Sequence, residues 1–388
     1  MARVIPYSVT GEHVQSLVSR HRAFLQRAEA GSYLRSDGVF APSVPVELPQ
    51  PDGSVVTHAE RLSPDQVDPG CLIDGVDAWR PMASDPEAIA QEQTLAFLGI
   101  GDVLPFSQPF FKIPWLEAML GCPIKMTEGQ IWVERYEGDL DELVQEGVDL
   151  EGNPWFGLYL KFLRLLQERI SGRFPVTHNT LFRGPSDLVA ALMGVQETCM
   201  GWILEPKRMA RLLRLCTHVH KTVVKAALQV TVPFAGGYVS GYGSWTDQPV
   251  IRMQADHSSL LSPEMYREHI LPFDLEIVQA FPRCIFHIHN NGLHVAPDLV
   301  AIDELDVLEV VVDPYPKGAR KAHEVEMLQM ILEHKPLILD VNFPSVEEAE
   351  WLLAELSPRG LWLNARFDPE TFRDAQGSLP GETLWVLT

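Results

Sequence analysis

CIFHIHNNG, residues 284–292, opens with an almost unbroken apolar run that ends in two histidines and then breaks at Asn-Asn-Gly. Such a run suits a strand buried on both faces, the kind found in parallel sheets covered by helices. The segments around it repeat the pattern. VLEVVVD (307–313), PLILDV (336–341) and GLWLNA (360–365) are strand-like, and LWVLT (384–388) ends the series. Between them lie the helical segment ARKAHEVEMLQMILEH and a helix start at Ser345 and Glu348 with capping-box spacing. Upstream, FPVTH (174–178) and PVIRMQAD (249–256) are further strands. GPSDLVAALMGV starts a helix, residues 205–229 have the apolar spacing of one long helix, and Ser262-Pro263 opens another to about Ala280 that Pro272 should kink. No GxGxxG or GxxxxGK[ST] follows any strand, which favours a (β/α)8 TIM barrel over a doubly wound sheet.

The chain has 388 residues. A helix is expected from about Glu12 to Ala30, then a loop-rich stretch that includes PSVPVELPQPDGS (42–54). Asp85-Pro86 is a strong helix start. The organisation read from this is an N-terminal helical and loop extension over residues 1–84 and a barrel over 85–388.

Charge and cysteine content exclude several classes. With 31 Lys plus Arg against 52 Asp plus Glu, the net charge is −21, unsuited to nucleic acid or to an anionic membrane surface. No apolar run is long enough to span a bilayer, and the N-terminus lacks the apolar core of a secretory signal. The cysteines at 71, 122, 199, 216 and 284 form no CxxC and fit a reducing cytoplasm.

In a parallel barrel, working residues sit at the C-terminal ends of the strands. That filter selects His178, Asp256, His257, His287, His289, Asp313, Asp340, Asn364 and Arg366. His287 and His289 stand at i and i+2, so both point to one face of a strand and can share a metal ion such as zinc. Asp256, His257, Asp340 and Asn364 lie on other strand ends and could converge there; the alternative is that one histidine is packed and hydrogen-bonded in the barrel mouth. Asp256 and His257 suit a general base, a ligand or an orienting group, or else a cap on the next turn. His178, Asn179 and Arg183 make a third polar cluster. Arg183 would meet a substrate carboxylate or pair with Asp187. GGYVSGYGSWTD (236–247) reads as a mobile loop over a pocket, with Tyr242 and Trp245 as walls, or as plain surface. Asn290 and Asn364 add polar substrate contacts. His218 and His220 read as solvated, as does the acidic run 137–152.

Three of these stretches, in order, resemble the uroporphyrinogen decarboxylase superfamily with its corrinoid-linked methyltransferases. They are GPSDLVAALMGVQETCMGWILEPKRMARLLRLCTHVH, DHSSLLSPEMYREHILPF and FHIHNNG. The similarity runs from about residue 80 to the C-terminus. It implies a TIM barrel, a small-molecule substrate and a homodimer. The decarboxylases' RQAGRY motif, whose arginines hold propionates, is missing. The zinc methyltransferases' cysteines are replaced at His289 and within 364–367. A His/His/carboxylate site is harder and suits an oxygen substituent. The resemblance therefore implies an O-demethylase: zinc on His287, His289 and Asp256, with Asp256, His257 and His178 as catalytic candidates and a partner corrinoid protein taking the methyl group. The alternatives are a metal-independent decarboxylase in which Asp256 stabilises a protonated intermediate, and a non-catalytic ligand-binding barrel.

Overall fold

The computed structural model describes residues 12–39, 46–77, 95–96, 100–104, 106–170, 175–178, 182–313 and 322–367. Among them, seven strands form one sheet. They are β1 (Leu34–Val39), β2 (Ile100–Gly101), β3 (Val250–Gln254), β4 (Arg283–His289), β5 (Val307–Val312), β6 (Leu337–Phe343) and β7 (Leu361–Phe367), in the spatial order β3-β4-β5-β6-β7-β1-β2. All neighbours are parallel except β1 and β2. A separate parallel bridge joins Ser107 and Val176.

Side-chain alternation gives the sheet two different faces. Ile251, Met253, Phe286, Ile288, Leu308, Val310, Leu339 and Leu363 pack into the large core shared with the helices. On the inner face, Leu34, Val250, Ile285, Val307, Ile338 and Trp362 form a second apolar cluster with Phe24 and Val103. Two residues further along each strand, the inner face turns polar: Arg252, His287, Glu309, Asp340, Asn364 and Ser36. An apolar floor under a polar ring is what places chemistry at the C-terminal ends of these strands.

The helices that matter to the site are α1 (Glu12–Leu25), α2 (Trp115–Met119), α3 (Pro154–Ile170), α4 (Pro185–Met193), α5 (Val195–Leu204), α6 (Pro206–Val230), α7 (Leu271–Val278), α8 (Ala322–His334) and α9 (Val346–Glu355). The long helix expected over 205–229 is α6, and Ser345 caps α9 by accepting the Glu348 amide. The kink expected at Pro272 takes the form of a π turn over Tyr266–Ile270, immediately before α7. Proline has no amide to donate and crowds the preceding turn, so the ladder slips by one residue there.

Three expectations need correction. Residues 34–39 were assigned to an extension, yet β1 pairs in parallel with all of β7 from Leu34–Trp362 to Val39–Phe367. The sheet thus draws on the N-terminal segment, and α1 supplies Phe24 to the inner apolar cluster. His220 lies on the buried face of α6 and is 0% exposed, although His218 is exposed as expected. The segment 236–247 is an anchored hairpin in which Tyr238–Val239 pairs with Trp245–Thr246, the Trp245 amide donates to His21 Nδ1, and the Leu104 amide donates to the Gly243 carbonyl. Gly243 has φ +73 and a Cβ there would lie 2.3 Å from Val103, so only glycine fits. The helix start at Asp85-Pro86, the strand at 384–388 and Asn179 lie outside the described residues.

Candidate metal centre

β4 presents His287 and His289 on the same face with ring centroids 4.9 Å apart. Each ring is anchored through Nδ1 by a carboxylate from β5 or its end. His287 meets Glu309, its register partner, and His289 Nδ1 lies 2.8 Å from Asp313 Oδ2. The Nε2 atoms are left facing Asp256, whose Oδ1 is 3.5 Å from His287 and 3.9 Å from His289. One ligand atom from each of the three residues falls within 4.8 Å of the others. Histidine ligands commonly donate their second ring N–H to a carboxylate, which fixes the tautomer and raises ring basicity. Both histidines have that arrangement here.

Asp256 is held from three directions. Its Oδ2 accepts from Gln254 Nε2 at 2.6 Å. Its backbone amide donates to Asp187 Oδ2 at 3.2 Å, while the amide of His257 donates to the other Asp187 oxygen at 2.8 Å. Its Oδ1 is buried with no hydrogen-bond partner among the described residues. A buried acceptor left unmet is costly, and a cation between it and two Nε2 lone pairs would meet it. Asp187 belongs to the first turn of α4, which approaches β3 so closely that a Cβ at Gly184 would lie 2.0 Å from the Gln254 carbonyl oxygen. Burial, with the Asp256 charge nearby, pushes the Asp187 carboxyl well above the usual carboxylate range.

Arg252 braces both arms. Its Nε donates to the Tyr242 hydroxyl at 2.6 Å, and Tyr242 donates to Glu309 Oε2 at 3.0 Å. Its Nη1 donates to Gln254 Oε1, and Gln254 in turn holds Asp256. Burial alone would raise the Glu309 carboxyl, but His287 against it, with Arg252 and Tyr242 beyond, holds it below the usual range. Glu309 and Arg252 escaped the reading of the strands. The signal for Glu309 is a lone acid inside VLEVVV, which cannot be buried without partners.

The other candidates are spread around this centre. His257 turns away from it: its Nε2 accepts from Trp202 Nε1 at 3.4 Å, and burial lowers it to about 4. His178 is buried beside α3, its carbonyl accepting from Tyr159 at 2.7 Å; burial, then His220, lowers it to about 3. Within the protein, Arg183 pairs with buried Glu117 on α2, at 3.1 Å, in place of the Asp187 foreseen for it. Tyr242 is a link in the bracing chain, and Trp245 is 0% exposed, its Nε1 donating to the Phe234 carbonyl. Asn290 Oδ1 accepts the Asp313 amide at 3.4 Å. On the far strands, Asp340 is clamped by Arg366 and stands in register with Asn364. Burial raises Asp340 to about 6 despite Arg366.

A parallel α/β barrel with a His/His/Asp cluster at its strand ends defines the class of protein. A sequence model described as uroporphyrinogen decarboxylase (URO-D) matches residues 84–330, and the chain belongs to that family. Among solved structures, a methyltransferase from Methanosarcina mazei has a similar fold, with a TM-score of 0.54 and 16% identity over 92% of this chain and 94% of that one. The fold is accordingly that of a TIM barrel, as the strand pattern led us to expect. No curated protein matches. No helix among the described residues is long and apolar enough to cross a membrane.

Proposed function

We propose that this member of the family is a zinc-dependent methyltransferase that removes a methyl group from a small methyl ether and passes it to the corrinoid of a partner protein. The observation that carries the reading is the convergence of two carboxylate-anchored imidazoles on the partnerless Oδ1 of Asp256. Three protein ligands with room for a fourth is the usual make-up of a catalytic zinc site. The donor set fits the ion: His287 Nε2, His289 Nε2 and Asp256 Oδ1 would hold it. Zinc bound there supplies Lewis acidity, which makes an ether oxygen a better leaving group.

The chain's own residues do the rest by position. Glu309 and Asp313 keep both Nδ1 atoms protonated so that both Nε2 atoms offer lone pairs. Arg252 holds Glu309 and Asp256 at their angles through Tyr242 and Gln254, and Asp187 pins the turn that carries Asp256. A reduced corrinoid docked at the mouth would supply the nucleophile for the methyl carbon; the carbon–oxygen electron pair would stay on the oxygen, and water would supply the proton that completes the alcohol. Asn364 and Asn290 are the substrate contacts we favour, while His257 and His178 have no part in the step. Decarboxylation of a polyacid is the weaker reading, because Asp256, Glu309, Asp313 and Asp340 line the same face.

The test is methyl transfer from simple methyl ethers to cob(I)alamin, with zinc-loaded and chelator-treated protein. Zinc-dependent transfer that His287→Ala abolishes supports the reading. Transfer indifferent to zinc, or decarboxylation surviving in that variant, overturns it.

A further inference from the structure

Two and three strands along from the histidines, the inner face carries acceptors that no described residue satisfies. Asn364 on β7 is 3% exposed, and its Oδ1 has no hydrogen-bond partner. Asn342 on β6 is half-buried, and its Oδ1 is also buried and without a partner. Between them by register stands Asp340, paired with Asn364 across β6 and β7, while Asn342 pairs with Arg366. Strand alternation puts all three on the face of the polar ring. Asp340 also pairs with Val311 on β5, which is the partner of His289 on β4. It therefore stands two strands from His289 on the same sheet.

Orphaned buried acceptors lower stability, and a protein keeps them where a ligand completes them. Among the described residues, the cations of this face are already engaged: Arg366 on Asp340, and Arg252 on Tyr242 and Gln254. A carboxylate arriving here would face the like charge of the acids Asp340, Glu309, Asp256 and Asp313. A group with an N–H or O–H to give would find the open Oδ1 atoms of Asn364 and Asn342.

We propose that Asn364, Asn342 and Asp340 form an acceptor-rich subsite across the barrel mouth from His287, His289 and Asp256, which takes the hydrogen-bond-donating end of a small substrate, a hydroxyl or an ammonium, and rejects a carboxylate. The proposal rests on the methyl-ether reading only for what occupies the other side of the mouth. It narrows the substrate to methyl ethers with a donor at the far end.

The test uses four probes alike in chain length and in their methyl ether, differing at the other end: 2-methoxyethanol, 2-methoxyethylamine, methoxyacetate and 1-methoxypropane. Affinities are read by ligand-observed NMR on zinc-loaded and on metal-free full-length protein. The hydroxyl and ammonium probes should each bind about tenfold more tightly than the other two, the ratio expected for one well-made bond to a buried acceptor. Preference for ammonium alone identifies a charged donor as the substrate's end; preference for both identifies hydrogen-bond donation. Asn364→Leu should remove the preference without lowering the melting temperature, since it deletes an unsatisfied polar group; Asn342→Leu should weaken it. Because the subsite is separate from the ligand atoms, the preference should persist in metal-free protein, so absence of zinc binding would refute the proposed function and leave this inference standing. Methoxyacetate binding as tightly as the donors, above all if Arg183→Leu abolishes it, would overturn the subsite, as would an unchanged preference in Asn364→Leu.

Discussion

Replacing Glu309 by glutamine isolates the contribution of the carboxylate under His287. The side chain is 1% exposed, so no water can take its place, and the amide is nearly isosteric. His287 Nδ1 and the Tyr242 hydroxyl both meet the same oxygen, Glu309 Oε2, and the amide oxygen of the variant can still accept from both. What disappears is the negative charge that raises imidazole basicity. Loss of such an outer partner costs about 10–100-fold in metal affinity, or about 1.4–2.7 kcal/mol. Removing the direct partner of a buried charge costs about 3–5 kcal/mol. Here Tyr242 stands between Arg252 and Glu309, and Gln254 keeps its bond to Arg252, so the stability loss should fall short of that. Zinc affinity of Glu309→Gln is measured by competition with a chromogenic chelator, after near-UV circular dichroism has shown an unchanged fold. An affinity within about twofold of wild type, below the range for such partners, would refute the claim that the carboxylate tunes a ligand.

His220, buried and held at about 4 by desolvation, stays neutral in the folded protein while its unfolded counterpart takes up a proton near 6.5. Its depressed pKa therefore lowers wild-type stability as pH falls from about 6.5 toward 4, so His220→Phe should gain on wild type by about 1.4 kcal/mol per pH unit through that window. Urea melts at pH 7 and 5 check this, and a gap independent of pH would contradict it. Gly184→Ala forces a Cβ against the Gln254 carbonyl; a loss of about 1–3 kcal/mol together with weaker zinc binding is expected, and an unperturbed variant would mean that α4 does not set the end of β3. Asp187→Asn keeps one acceptor for two amides, so calorimetry should show zinc affinity lower by about tenfold, the equivalent of one hydrogen bond to a charged group. Unaltered affinity would show that the Asp256 turn holds its shape without Asp187.

The strands from 250 onward were legible because β/α units bury both faces of each strand, which leaves short apolar runs. β1 was not: LRSDGV has no such run, since Ser36 belongs to the polar ring and the backbone of Asp37 pairs across to Ile100. The histidine pair was legible because i and i+2 share a face whatever the neighbours do. Glu309 and Arg252 acquire their roles only from the register of β4 with β5 and from the approach of the 236–247 hairpin, long-range facts that no local pattern encodes. His257 looked equivalent to Asp256 by adjacency, but the turn after β3 sends consecutive side chains in different directions, one to the metal centre and one to Trp202. His220 was misread because flanking polar residues, His218 and Lys221, mark the opposite edge of α6.

The most direct test is zinc stoichiometry on protein purified without chelators, by elemental analysis and by titration of metal-stripped protein. The account predicts about one ion per chain, as befits a single three-ligand site, reduced to background in His287→Ala, His289→Ala and Asp256→Ala while Arg183→Ala and His257→Ala retain it. Failure of the stripped, folded protein to take up zinc, or equal uptake by the three ligand variants, would contradict it.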